Sequence, residues 1–399
     1  MTKSEGSRLL RERGDGVHAR VAFVELFFDL VFVFAITQLS HGLLHHLTAS
    51  GALQTLLLLL AVWWVWIYTS WVTNWLEPET TPVRLMLFAM MLAGLVLSAS
   101  IPKAFEERGL MFAGAYVAMQ VGRSLFMLWA LRKASPSNYR NFQRITAWLA
   151  LSGVLWIAGG LVEGNGRFAI WSLAMLLEFI SPSLGFWTPG LGRSTTADWD
   201  VSGAHMAERC GLFVILALGE SILITGSTFA ELSWSTPTTA AFAIGLLGSI
   251  AMWWIYFNIG AERATRLIEH AADPNRIARL AYTYLHVVII AGIIVSAVAD
   301  DIVIKHPSGR AGATTALVMV GGPMLFLIGC LLFKWATAGW APLSHMVGIA
   351  LLAGSLVFAA AMPPLVLAGL STAILIVVAA WEAISLGSAG TTDHEEASR

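Results

Sequence analysis

From residue 23 to residue 386 the chain is a succession of long apolar runs separated by short polar breaks. The runs are continuous rather than alternating, so they read as helices and not as strands. About 20 apolar residues cross a bilayer as a helix. Twelve segments approach that length: 23–46, 52–76, 82–101, 109–132, 142–162, 167–187, 205–230, 236–258, 279–300, 314–334, 343–361 and 364–386. Only Pro363-Pro364 parts the last two. The pattern predicts an all-α integral membrane protein of about twelve transmembrane helices.

Composition narrows the class. Hydrophobic residues are 57% of the chain and charged residues 12%, against roughly 45–50% and about 25% in an average soluble domain. So few charges could not cover the surface of a soluble fold of this size, and the primary partner is the lipid bilayer. The net charge of -1 gives no sign of a nucleic-acid partner. The two cysteines, Cys210 and Cys330, lie in separate apolar runs and suggest no disulfide framework. No apolar signal core precedes the first span, so that span is expected to be retained.

Basic residues orient the spans. With the N-terminus placed in the cytoplasm, 18 of the 24 Lys and Arg fall on inward segments and 5 on outward loops, with Arg123 inside the fourth span. That bias puts both termini in the cytoplasm. Residues 1–20 form a cytoplasmic tail and 388–399 a polar, disordered one.

The two halves match in order. Asp29 pairs with Glu220, Trp63-Trp64 with Trp253-Trp254, AGLVLSA (93–99) with AGIIVSA (291–297), and GRSLF (122–126) with GPMLF (322–326). SGVL (152–155) then pairs with AGSL (353–356), and EFIS (178–181) with EAIS (382–385). These matches predict two six-helix repeats, 21–190 and 200–387. An even helix number makes the copies parallel, related by an axis along the membrane normal.

Charges inside the spans are the candidate chemistry. Arg123, Glu178, Glu220 and Glu382 lie well within apolar runs. Four charges at helix centres cost roughly 10–14 kcal/mol, so they must face the interior. Arg123 is expected either to make an ion pair with one of these acids or to join an ion or proton path. At about 100° per residue, Glu25, Val33, Ile36 and Ser40 share the face of Asp29, while His41 and His45 lie opposite. Glu25 suits a helix N-terminus; Asp29 is deeper. In HMAERCGLFVILALGES (205–221), His205, Arg209, Glu220 and Ser227 form one polar stripe, with Glu208 off it. His286 in YTYLH (282–286) is a candidate buried hydrogen-bonder or proton relay. Gly321-Gly322-Pro323 should weaken or kink the tenth span. The His41–His45–His46 cluster lacks an acidic or thiol ligand nearby, and no metal or cofactor is expected.

ELFFDLVFVFAITQLSHGL (25–43), YRNFQR (139–144), HMAERCGLFVILALGES (205–221) and AYTYLH (281–286) resemble the hallmarks of the bacterial low temperature requirement A family. The resemblance covers nearly the whole chain and implies a multi-pass bacterial membrane protein. It brings no biochemical activity with it. VELFFDLVFVFAIT also resembles, more faintly, the first-helix FSD motif of six-helix-unit potassium channels. Here Phe28 stands where that motif has serine, and the seventh span carries GES where a second FSD belongs.

No nucleophile–base pair, metal signature or phosphate loop is visible, so an enzyme is not expected. The leading expectation is proton- or ion-coupled movement of a small solute. Glu25, Asp29, Arg123, Glu178, His205, Arg209, Glu220, His286 and Glu382 are its candidate residues, converging on one wet interior. The alternatives are a cation channel and a membrane protein that stabilises or senses without transporting.

Overall fold

The computed structural model describes residues 9–11, 20–195, 202–257 and 273–396. These residues form α1 (Phe23–His45), α2 (Ala49–Trp75), α3 (Thr81–Ser100), α4 (Gly109–Leu131), α5 (Pro136–Leu161) and α6 (Gly164–Ile180). After them come α7 (Gly203–Glu231), α8 (Thr236–Phe257), α9 (His286–Lys305), α10 (Gly312–Ala338), α11 (Leu343–Ala359) and α12 (Pro364–Glu396). A short helical turn, Pro274–Ala278, and a π-helical run, Arg279–Leu285, lead into α9. Among the described residues there are no named strands, only isolated bridges.

Ten helices in the described residues are long and apolar enough to cross a membrane. The expected sixth and eleventh spans form the 17-residue helices α6 and α11, each about 25 Å long and short of the roughly 30 Å hydrocarbon core. The sixth ends ahead of Pro182, which has no N–H to carry the helical ladder on, while Ser181 itself keeps helical dihedrals (φ -53, ψ -42). Gly185 (φ +61) and Phe186 (φ +48) then turn the backbone through the left-handed region. Pro363 and Pro364 stop α11 and start α12, with Pro364 in the first helical position.

Residues 9–11 lie against the end of α2: Leu10 bridges Leu76, Arg11 N–H donates to Trp75 O at 2.9 Å, and Glu77 N–H donates to Leu9 O at 2.8 Å. At the other end α12 is helical to Glu396. No proline after Pro364 interrupts it. Pro323 likewise leaves α10 continuous.

The chain forms two compact units. One comprises Met1–Arg209 with Ala272–Ala278, the other Cys210–Ala271 with Arg279–Arg399. In the first unit α2 is buried on all sides from Ala61 to Trp75, as expected of a central helix. Aromatic side chains of α4, α5 and α6 pack in a row: Tyr116, Trp156 and Trp171 are tilted against one another, with centroids 4.4 and 5.3 Å apart.

In the second unit α9 is central and packs closely on α10 through small residues. A Cβ on Gly292 would stand 2.4 Å from Phe326 N, and one on Gly329 2.7 Å from Ile289 N. Such approach is open to glycine alone. The paired positions of the expected duplication sit in unlike surroundings. Trp63 and Trp64 are 1% and 0% exposed, Trp253 and Trp254 44% and 43%.

Candidate functional site

Glu25 and Asp29 lie one turn apart on α1, and their partners lie one turn apart on α7. The expected shared face is real: Glu25, Asp29, Ile36 and Ser40 are all buried. Asp29 takes both arms of the Arg209 guanidinium, Nη1 to Oδ2 and Nη2 to Oδ1, each at 2.8 Å. Trp66 Nε1–H donates to the same carboxylate at 2.8 Å. The Arg209 guanidinium also lies 5.5 Å from the centre of the Trp66 ring. Both members of the pair are fully buried, so this is the bidentate geometry that suits a desolvated carboxylate.

Glu25 is held differently. Its Oε2 accepts from Ala22 N–H at 2.9 Å, which serves the free end of α1, and from Arg11 Nη2 at 2.9 Å. Its Oε1 lies 3.1 Å from His205 Nε2. Asn74 Nδ2 faces His205 Nδ1 at 3.3 Å, so Nδ1 is the acceptor and Nε2 carries the proton given to Glu25. Arg11 also donates through Nε to the carbonyls of Thr73 at 2.9 Å and Leu76 at 3.1 Å, a cation placed at the C-terminal end of α2. Arg11 has no periodicity to mark it, and nothing in the sequence pattern points to it.

Glu178 accepts four hydrogen bonds. Ser152 Oγ (2.7 Å) and Trp156 Nε1 (2.9 Å) donate to Oε1. Tyr116 Oη (2.6 Å) and Gln120 Nε2 (3.2 Å) donate to Oε2. The ion pair expected for Arg123 is not formed. Its Nη1 donates to Val65 O at 3.1 Å and to Thr69 Oγ1 at 3.0 Å, and its Nη2 donates to Gln120 Oε1. Arg123 thus reaches Glu178 through one amide, because the neutral donors on α4 and α5 already fill the carboxylate.

The second unit holds the remaining candidates on separate partners. His286 Nδ1 donates to Ala281 O at 2.8 Å across the π-helical run. That leaves Nε2 to accept from Tyr256 O–H at 2.8 Å. Glu382 takes Lys334 Nζ at 2.6 and 2.8 Å, with His345 at 3.4 Å. Lys334 lies at the end of the tenth span and was not among the expected residues. Asp301, also unforeseen, accepts from Thr228 Oγ1 at 2.6 Å and from Lys305 Nζ at 2.8 Å.

Glu220 is different from all of these. It is 5% exposed and has no hydrogen bond or ion pair among the described residues. Ser221 beside it is buried, and its Oγ is unpartnered. The stripe expected along α7 holds for His205, Arg209 and Glu220 and fails at Ser227, which is exposed while Thr228 is buried. Glu208 lies off it as expected and accepts from Val21 N–H at 3.2 Å.

Within the first unit, Glu25, Asp29, His205 and Arg209 lie close enough to act on one another electrostatically, each acid with its own hydrogen-bond donors, while Glu178 with Gln120 and Arg123 draws on a different set. A cavity of about 240 Å³ in the same unit is lined by Gln38, His46, Gln54, Thr55 and Glu106 among others. His41, His45 and His46 are exposed, and no three metal-ligating side chains meet among the described residues.

Comparison with known proteins adds a family. The family described as bacterial low temperature requirement A protein matches residues 20–380. An uncharacterised protein of Rhizobium meliloti (strain 1021) is 42% identical over 388 residues, covering 97% of this chain and 94% of its own. No solved structure matches.

Proposed function

The chain belongs to the bacterial low temperature requirement A family, and we propose that it moves a small solute across the membrane, coupled to a proton or an ion. The supporting observation is Glu220. Among the described residues the other buried acids, Glu25, Asp29, Glu178, Asp301 and Glu382, are neutralised by cations or saturated by donors, whereas Glu220, deep in the 29-residue α7, has no partner there. A carboxylate in that position is neutralised by a proton or a cation, and either can leave again. The cavity beside Gln38 and Gln54 suits a small polar solute, since it falls below the usual range of about 300–1,000 Å³ for drug-sized ligands. On this reading twelve spans form two parallel repeats in a bacterial inner membrane, with both termini cytoplasmic. The charge bias along the sequence supports that orientation.

The test is flux into proteoliposomes under an imposed proton or sodium gradient, wild type against Glu220→Gln. Coupled uptake lost in Glu220→Gln supports the reading. Gradient-driven uptake that is the same in both proteins, or absent from both across ions and small polar solutes, refutes it. Currents in planar bilayers without any gradient of pH would favour a channel instead.

A further inference from the structure

The second unit contains a small polar cavity that none of the partnered clusters uses. Its volume is about 30 Å³, and it is lined by residues of four helices, room for one water-sized occupant. Asp300 and Ser296 contribute from α9, where a spacing of four puts them on one face. Ser371 and Thr372 contribute from α12, Gly248 from α8, and Met319 and Pro323 from α10.

Several oxygens here lack donors. Ser296 Oγ and Ser371 Oγ are buried, with residue exposures of 5% and 3%, and neither has a hydrogen-bond partner. The Asp300 carboxylate has no hydrogen bond or ion pair among the described residues, because the nearby Lys305 is spent on Asp301. Thr372 Oγ1 reaches Ile244 O only at 3.5 Å. Pro323 has no N–H, so the carbonyl of Met319, four residues back, loses its helical donor. A carboxylate, hydroxyls and a released carbonyl are hard oxygen ligands, the set that oxygen-seeking cations take.

Glycine makes the room. A Cβ on Gly245 would stand 3.1 Å from Asp300 Cγ, and one on Gly248 3.2 Å from Thr372 Oγ1. Either addition would press on a candidate ligand.

We propose that this cavity binds a single dehydrated monovalent cation of sodium size, held by Asp300 with Ser296, Ser371 and the Met319 carbonyl. One carboxylate balances one positive charge, and a divalent ion would leave a net charge buried in a medium that penalises it. The site deepens the reading of an ion-coupled transporter, and it rests on that reading for its purpose but not for its chemistry. It names the coupling ion and places it on residues other than Glu220.

Equilibrium binding tests the site without any flux. The full-length protein in detergent is titrated with NaCl in a choline chloride background at constant ionic strength. Radiolabelled sodium binding and the thermal unfolding midpoint are followed together. Saturable binding of one ion per chain, with a midpoint that rises with sodium and not with choline, is the expected result. Asp300→Asn should abolish both effects, and Ser371→Ala should weaken apparent affinity about tenfold. If Asp300→Asn does not fold, Ser371→Ala and Ser296→Ala carry the test. Absence of sodium-specific binding in the wild type shows a water-filled cavity and overturns the proposal, as does unaltered affinity in the serine variants. A protein that binds sodium through Asp300 yet moves no solute keeps the site and loses the transport reading. Flux that depends on Glu220 without any sodium binding does the reverse.

Discussion

The Asp29–Arg209 pair can be taken apart by a double-mutant cycle. Arg209→Met removes two charge-assisted bonds of 2.8 Å and leaves a buried carboxylate with Trp66 Nε1–H alone. Asp29→Leu leaves the guanidinium with Ser70 Oγ, at 3.3 and 3.4 Å, and the Trp66 face. Breaking a buried pair from one side costs about 3–5 kcal/mol, because the surviving charge stays desolvated. Two such losses would sum to roughly 6–10 kcal/mol if independent. The double variant strands no charge. Its cost is the lost hydrogen bond from Trp66 Nε1–H to Asp29, about 1–3 kcal/mol, offset by removing the desolvation of both ions. The double is therefore expected to lose less than about 3 kcal/mol and to be more stable than either single. Reversible unfolding in mixed micelles, followed by circular dichroism, gives the four free energies. Additive losses, or single losses below about 1 kcal/mol, would refute the assignment of these groups as a desolvated pair.

Gly292→Ala should cost at least about 1–3 kcal/mol, since its Cβ would meet Phe326 N at 2.4 Å. Gly321→Ala, with nothing within 4 Å, should be neutral or stabilise by about 0.5–1 kcal/mol; thermal melts in detergent compare the two. Glu178→Gln should lower the melting midpoint by the equivalent of about 1–3 kcal/mol, because an amide N–H₂ then faces a donor from Tyr116 or Ser152. Lys334→Met should destabilise by about 3–5 kcal/mol, and adding Glu382→Gln to it should recover part of the loss, read by the same melts. Arg11→Ala should speed cleavage by chymotrypsin at Leu9 and Leu10, because Arg11 holds residues 9–11 to Thr73, Leu76 and Glu25; an unchanged cleavage rate would contradict the anchoring.

The helical pattern along the chain carried the start of α12, where Pro364 marks it, but not that of α5, which begins at Pro136 and not at the expected 142. It also carried the faces: Glu25 with Asp29, and His205 with Arg209, follow from a spacing of four. Which face meets which helix was not legible, since periodicity orients a residue on its own helix and says nothing of a partner 180 residues away. Arg123 misled for a related reason. Charge alone suggests an acid for it, but a carbonyl, a hydroxyl and an amide satisfy a guanidinium equally well. Arg167 shows the same chemistry, donating to the carbonyls of Val162 at 2.9 Å and Ala104 at 2.8 Å. Backbone acceptors have no sequence signature. Nor was it legible that the neutral donors Tyr116, Ser152 and Trp156 would satisfy Glu178 locally.

The π-helical run at Arg279–Leu285 makes chain length itself a constraint here. A wide turn absorbs one residue more than an α-helical turn, and that surplus lets Ala281 O face the His286 ring rather than be covered by ordinary pitch. Deleting one residue of the run, away from Tyr282, which packs on the His286 ring, would restore the tighter winding with the flanking segments near their present register. Such a deletion would return the Ala281 carbonyl to a backbone N–H and strip His286 of it. Substitution scans would pass over this vulnerability, and a one-residue indel would expose it.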